Sequence, residues 1–184
     1  MLADVPLAHP WLELATVCLL DNGLAASTTA ARVAASARAG LLDALQAGLG
    51  ALAGPLHGAA GRRAQALLAA VLAGEPAASA VARLGAPGFG HVVYEHDDPR
   101  ATVLLDALRR DGAASAVLEA VDALRAAVER PANVDLALAG IVLVLDLPAT
   151  TIDVLFQRSR IVGMTAHVAE EHGEAPLRWR GRAD

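Results

Sequence analysis

Glycine and proline cut this chain into segments of helical length, and almost everything between the cuts is a good helix former. The breaks fall at Gly54-Pro55, in the GAPGFG stretch at residues 85–90, at Asp98-Pro99, at Pro131 and at Pro148. Between them stand mostly Ala, Leu and Arg, which favour helix, while Val and Thr are too scattered to mark strands. Aromatic residues make up only 3% of the chain against 55% hydrophobic residues, so small aliphatic side chains must fill the core. The expected fold class is all-α, with no βαβ pattern and no repeat period. At 184 residues, the length suits one domain or two small lobes sharing a core.

The helix starts and stops can be read individually. WLELATVCLLDN opens behind Pro10, and STTAARVAASARAG follows with Ser27 as its N-cap and Gly40 as its stop. LLDALQAGLGALAG ends at Gly54-Pro55, and the next helix begins at or just after His57. A short helix, PAASAVARLG, leads into the glycine-rich loop. Asp98 before Pro99 is an N-cap residue ahead of proline at the first helical position. The helix it opens is followed by ASAVLEAVDALRAAVERP, then by NVDLALAGIVLVLDL and ATTIDVLFQRSRIVGMTAHVAEEHG.

Charge and composition exclude several classes of function. All 15 basic residues are Arg, but the net charge of −5 and a pI near 5.6 leave no basic stripe for nucleic acid. The most apolar run, LALAGIVLVLDLPATTIDVLF, is broken by Asp146, Pro148 and Asp153, so it falls short of a membrane span. The opening MLADVPLAHPWLELATVCLL has no basic n-region and no cleavage signal. Cys18 is the sole cysteine, which excludes an internal disulfide and fits a reducing, cytoplasmic setting.

Chemistry concentrates at helix ends. In GPLHG (54–58), His57 lies near a helix start, where partial positive charge disfavours imidazolium and a neutral ring can donate a hydrogen bond. On spacing alone, a histidine that merely caps a helix explains it better. In GFGHVVYEHDDPR (88–100), a flexible turn leads into His91, Tyr94, Asp97, Asp98 and Arg100. The plain alternative is a loop with an Asp-Pro helix start, and His91, His96 and Asp97 lack a recognised metal-ligand spacing. In PANVD, Asp135 sits in the first turn of an otherwise apolar helix, where a carboxylate suits the helix dipole. In QRSRIVG, Arg158 and Arg160 precede an apolar run, where arginine ordinarily snorkels or pairs at the surface.

Taken in order, GPLHG, PGFGHxVYxxxDPRA, PxNVD, SRIVG and an Arg-rich tail resemble the citrate synthase family, over about residues 15 to 182. The resemblance implies that fold and that family's chemistry, the joining of acetyl-CoA to oxaloacetate by deprotonating the thioester methyl group. It implies Asp135 as the base, His57 as the donor to the thioester oxygen, and His91 as the residue that polarises and protonates the ketone. Arg100 and Arg160 match the arginines that grip the keto-acid carboxylates, a task suited to a planar guanidinium. Arg178 matches an arginine that reaches the neighbouring subunit's site, with Arg180 competing for that register. Pro87, Gly88, Phe89 and Gly90 fall in the coenzyme A contact region. The implied domains are residues 1–57 and 132–184 in the large domain and 58–131 in the small one. No tightly bound cofactor is implied; acetyl-CoA or CoA is a co-substrate, and a 2-keto acid is the other.

Two departures from the family pattern stand out. In DNGLAAST, Asn22 stands where a substrate-binding histidine is expected, and Gly23 is closer to the citryl-CoA lyase branch. Family members also carry a large helical stretch upstream, whereas here 20 residues precede this motif. The expectation is an amino-terminally truncated, divergent member acting on a CoA thioester by Claisen-type condensation or the reverse cleavage. The alternative is a non-catalytic subunit that binds CoA or pairs with a full-length paralogue. Apolar helix faces left uncovered would drive a homodimer or a complex with a family-like subunit.

Overall fold

A computed structural model describes residues 8–54, 57 and 60–180. Among these residues the chain is all-α, with nine helices, a single 3-10 turn at Gly112–Ala114 and one isolated β-bridge between Phe89 and Ala132. It forms two compact units, one of Met1–Ala15 with Ala59–Leu155 and one of Thr16–Gly58 with Phe156–Asp184. Helices α1 (Pro10–Leu19) and α9 (Thr150–Gly173) supply residues to both. This division follows compactness and is drawn differently from the three-part division implied by the family resemblance.

The first unit is organised around α8 (Val134–Val144), whose residues are buried on every side from Leu136 to Val142. A helix apolar all round has no stable place at a surface, and α4 (Ala60–Leu72), α6 (Pro99–Arg109) and α7 (Ser115–Ala127) pack against it. Gly140 lets Leu108 of α6 and Val117 of α7 close on α8, since a Cβ there would meet both at 3.3 Å. Helix α5 (Ala77–Leu84) packs on α4 and α7. The start of α6 is as expected: Asp98 is its N-cap, accepting from Arg100 N, with Pro99 at the first helical position.

In the second unit, α2 (Ala26–Ser36) and α3 (Leu41–Leu52) pack together over Ala31, Ala35, Ala44, Leu45, Met164 and Val168. Two expectations fail here. Ser27 is not the N-cap of α2; Ala25 takes that position without a side-chain bond, and Ser27 lies buried inside the first turn. Gly40 does not end α2 either. The chain leaves that helix at Ala37 and turns through Arg38 at φ 66°, and Gly40 becomes the extended residue that opens α3. The buried position of Ser27 explains the first failure, because its hydroxyl is engaged elsewhere. The expected start of α4 falls on residues 58 and 59, outside the described residues; the described part of that helix begins at Ala60.

Candidate active site

The polar residues singled out from the sequence fall into two groups, one in each unit. The group in the first unit is assembled by the PANVD turn. Asn133 caps α8, its side-chain oxygen accepting from Asp135 N at 3.0 Å while its amide donates to Gly90 O at 2.7 Å. The Asn133 backbone N–H donates to Gly88 O at 2.9 Å, and Gly90 N donates to Pro131 O at 2.7 Å. The turn is thereby stitched to the glycine loop that delivers His91. Gly88 is required where it stands: its φ is +87°, and a Cβ would lie 2.9 Å from Leu136 Cβ. Phe89 is buried and Pro87 and Gly90 half-buried, so this loop presents mainly backbone.

His91 is held by its own turn. Its Nδ1 accepts from Val93 N at 3.1 Å, which leaves the proton of the neutral ring on Nε2. That Nε2 lies 3.2 Å from Arg100 Nη2, and the ring tautomer decides the roles in this contact. Partial burial and the Arg100 cation push His91 below the ordinary imidazole value, with Asp98 opposing. The neutral ring therefore suits the site. Tyr94 stacks beside His91, with centroids 4.7 Å apart, and lies under the Arg100 guanidinium at 5.5 Å.

Asp98 does far more than cap a helix. Its Oδ1 accepts from Arg100 N and Nε, both at 3.0 Å, and its Oδ2 from Arg100 Nη2 at 2.9 Å and Val134 N at 3.0 Å. It is 1% exposed. Burial alone would raise its pKa, but the bonds and charge of Arg100, with the Val134 and Arg100 amides, hold it below the usual carboxylate range. Asp135 behaves oppositely. Its carboxylate comes to where a Cβ on Gly61 would stand, 3.3 Å from Oδ1, so that glycine makes the room. Burial pushes Asp135 up to about 6, with Arg100 pulling down and Asp98 adding to the rise. A carboxyl group at that value is poised to exchange a proton near neutral pH. His96 and Asp97 are exposed, and Asp97 pairs with Arg125 at 3.6 Å.

The second unit holds the other group. His57 sits in a turn, its N–H donating to Gly54 O at 3.0 Å. Its Nε2 takes the Ser27 hydroxyl at 2.9 Å and the Ser27 N–H at 3.4 Å, which leaves the ring proton on Nδ1. Burial, and then the Arg160 cation, push His57 below the ordinary value. The helix start expected just after His57 lies outside the described residues; the helix turn that bonds this ring is the first turn of α2, through Ser27. Arg160 is 3% exposed, which overturns the surface reading; its Nη2 donates to Thr28 Oγ1 at 2.7 Å and Ser27 Oγ at 3.5 Å. Asn22 lies half-buried in the α1–α2 loop, next to an Asp21 that accepts from Gly23 N at 2.9 Å and faces His167 Nε2 at 3.1 Å. Arg178 grips Glu171 through two bonds of 2.6 Å, and Glu171 also accepts from Arg32 and Trp179.

Known proteins resolve what this arrangement belongs to. The family described as "Citrate synthase, C-terminal domain" matches residues 1–181. The chain belongs to the citrate synthase family. It is 34% identical to a putative citrate synthase 2 of Mycobacterium tuberculosis over 169 residues, covering 84% of this chain and 45% of that protein. With citrate synthase 2 of Bacillus subtilis it shares 32% identity, covering 89% of this chain and 47% of the relative. The chain thus spans about half the length of these relatives. Among solved structures it is similar to citryl-CoA lyase from Hydrogenobacter thermophilus, at a TM-score of 0.77 and 27% identity, covering 94% of this chain and 72% of that one. Citrate synthase from Thermotoga maritima gives a TM-score of 0.72 at 29% identity, with 96% and 53% covered.

Within this citrate synthase family chain, sequence reasoning missed the residues that hold the others in place. Asp98 was read as a cap alone, while Asn133, Ser27 and Thr28 were not singled out for the site. Asn133 carried a readable signal, an N-cap type ahead of an apolar run. Ser27 and Thr28 carried none, since their partners His57 and Arg160 lie 30 and 132 positions away. Among the described residues, no group of three or more His, Cys, Asp or Glu side chains converges to hold a metal, and no helix is long and apolar enough to cross a membrane.

Proposed function

We propose that the chain acts on a CoA thioester and a 2-keto acid, by citrate synthase-type condensation or by the reverse cleavage of a citryl-CoA-like substrate. The observation that carries this reading is the pairing of His91 with Arg100 in the first unit. His91 Nε2 and the Arg100 guanidinium stand 3.2 Å apart, so an acceptor with negative character placed beside both can meet the imidazole and the cation together. A 2-keto acid supplies a ketone oxygen and, on the next carbon, a carboxylate. One such relative, citrate synthase from Thermoplasma acidophilum, has been solved with carboxymethyl coenzyme A and oxaloacetate, at 26% identity and a TM-score of 0.70.

In the condensing direction Asp135, ionised above about pH 6, removes a proton from the thioester methyl group. His57 donates from Nδ1 to the thioester oxygen as it takes up negative charge. The methyl carbon then bonds to the keto carbon, and the ketone oxygen becomes a hydroxyl by taking the Nε2 proton of His91. Arg100 and Arg160 hold carboxylates, Asn22 hydrogen-bonds the substrate, and the 87–90 loop meets coenzyme A. Water then releases CoA as a thiol. The lyase direction runs the carbon–carbon step backwards, and the likeness to citryl-CoA lyase, whose own chain is 72% covered, supports it. Arg178, on this reading, belongs to a partner subunit's site when two copies assemble. Exposed Val17, Leu24, Leu42 and Val162 in the second unit support assembly with a second copy or a family-like subunit.

The test is a thiol-release assay with acetyl-CoA and a panel of 2-keto acids, run beside citryl-CoA cleavage. Asp135→Ala is expected to lower either activity by at least about a hundredfold, the usual scale for a proton-transfer group. Activity that survives this change intact refutes the assigned base. Asn22→His is expected to tighten keto-acid binding.

A further inference from the structure

We infer that Asp98 is the positioning residue of the keto-acid grip: its buried carboxylate fixes the Arg100 guanidinium and the first N–H of the Asp135 helix in a single frame. The inference rests on the reading of Arg100 and Asp135 given above and adds a residue to it.

The argument starts from how a guanidinium can be used. It has five N–H donors on a planar fork and can present either its side edge or its end edge to a carboxylate. Asp98 takes the side edge, Nε at 3.0 Å and Nη2 at 2.9 Å. That choice leaves the other side of Nη2 toward His91 Nε2, 3.2 Å away. A bidentate bond of this kind sets the plane of the guanidinium as well as its position. A capping residue needs one oxygen, and Asp98 uses Oδ1 on Arg100 N for that purpose. Its Oδ2 reaches beyond α6 to Val134 N at 3.0 Å, the first residue of α8, and the next residue is Asp135. The base and the carboxylate grip are therefore referred to the same two oxygens. The charge matters too, because an anionic Asp98 beside Asp135 favours the protonated form of the base, while Arg100 favours the ionised one.

The test uses Asp98→Asn, which keeps a good N-cap oxygen for α6 but places an NH2 donor against the donors Arg100 Nη2 and Val134 N. Folding is checked by circular dichroism. Asp135 is then titrated by carboxyl-carbon NMR, and oxaloacetate and CoA binding are measured by calorimetry on the full chain. The expected result is a lower Asp135 titration midpoint, oxaloacetate affinity reduced about tenfold or more, and unchanged CoA affinity. A residue that only supports the fold would lower the melting temperature without moving the midpoint or separating the two ligands. A folded Asp98→Asn protein with the wild-type Asp135 midpoint overturns the inference. If wild-type protein binds no oxaloacetate, the proposed function fails, while the midpoint still decides the role of Asp98. Val134→Pro serves where Asp98→Asn does not fold. Proline suits the first helical position, Asn133 is already extended at φ −111° and ψ 178°, and the change removes the N–H that Asp98 accepts while exchanging one buried apolar side chain for another. Asp98's own titration should then rise toward the ordinary carboxylate range; an unchanged value overturns the inference.

Discussion

The two units hold their polar groups in contrasting ways. In the first, the group is built from two short stretches, residues 88–100 and 131–135, and nearly every bond belongs to a turn or a helix cap. In the second, Ser27 with Thr28, His57 and Arg160 come from three places in the chain, and the deepest charge, Glu171, gathers Arg32, Arg178 and Trp179. Caps are local devices that fix a side chain through the backbone beside it. A buried ionic cluster fixes distant segments to one another and fails as a whole when one member is lost. The first unit should therefore tolerate loss of the Asp135 charge, and the second should not tolerate loss of the Glu171 charge.

The sharpest break in that comparison is Glu171→Gln. Glu171 is fully buried, and Arg32 is 8% exposed, so the change leaves cations facing a neutral amide. We expect a loss of about 3 kcal/mol, read by chemical denaturation. The bonds from Arg178, with those from Arg32 and Trp179, hold Glu171 down to about 2 against the desolvation that would raise it. Its folded value lies below its unfolded one, so its stabilisation is complete above about pH 4.5 and fades as pH falls toward about 2. Wild type and Glu171→Gln should therefore converge in stability in acid. A constant gap between them down to pH 2 would show that the charge of Glu171 is not what stabilises the unit.

The opposite sign is expected in the first unit. Asp135 has a folded value raised from 3.8 to about 6, so ionising it opposes folding. The penalty is absent below about pH 3.8, grows up to about pH 6 and is constant above. Asp135→Asn should stabilise the protein by about 2 kcal/mol at pH 7.5 and leave it unchanged near pH 3. Thermal melts at the two pH values check this. A stabilised but inactive variant is the usual mark of a side chain kept for chemistry rather than for folding.

The same contrast explains what could be read before the structure. The all-α fold and most helix boundaries were legible, because Asp98-Pro99, Pro131 and Pro148 are local signals with local consequences. Most of the first unit's group was legible for the same reason. The failed helix boundaries lie in the second unit. Ser27 looks like a cap because serine so often is one, but the long-range bond to His57 claims its hydroxyl. Arg38 takes the left-handed turn that Gly40 was expected to provide, and its guanidinium donates to His172 O at 2.7 Å and Glu174 O at 2.9 Å. A tertiary contact outweighs the local preference in both cases. Arg160 is the third such residue, a buried arginine whose hydroxyl partner, Thr28, lies 132 positions away.

Ser27→Ala is the mildest test, and it separates what one hydroxyl does from what the helix end does. The Ser27 O–H donates to His57 Nε2 at 2.9 Å and accepts from Arg160 Nη2 at 3.5 Å, whereas the Ser27 N–H at 3.4 Å survives the change. Losing one neutral hydrogen bond should cost about 1 kcal/mol, well below the Glu171 effect. The more telling readout is the ring nitrogen shift of His57. If the start of α2 alone sets the tautomer, Nδ1 keeps its proton in Ser27→Ala. If the hydroxyl is needed, the Nε2-protonated form appears, and the Nδ1 donor that the proposed function assigns to a thioester oxygen weakens with it. We expect the second outcome, because 3.4 Å is a long bond and 2.9 Å a good one. A deleted hydroxyl would then reduce turnover through the histidine while leaving the first unit's titrations untouched.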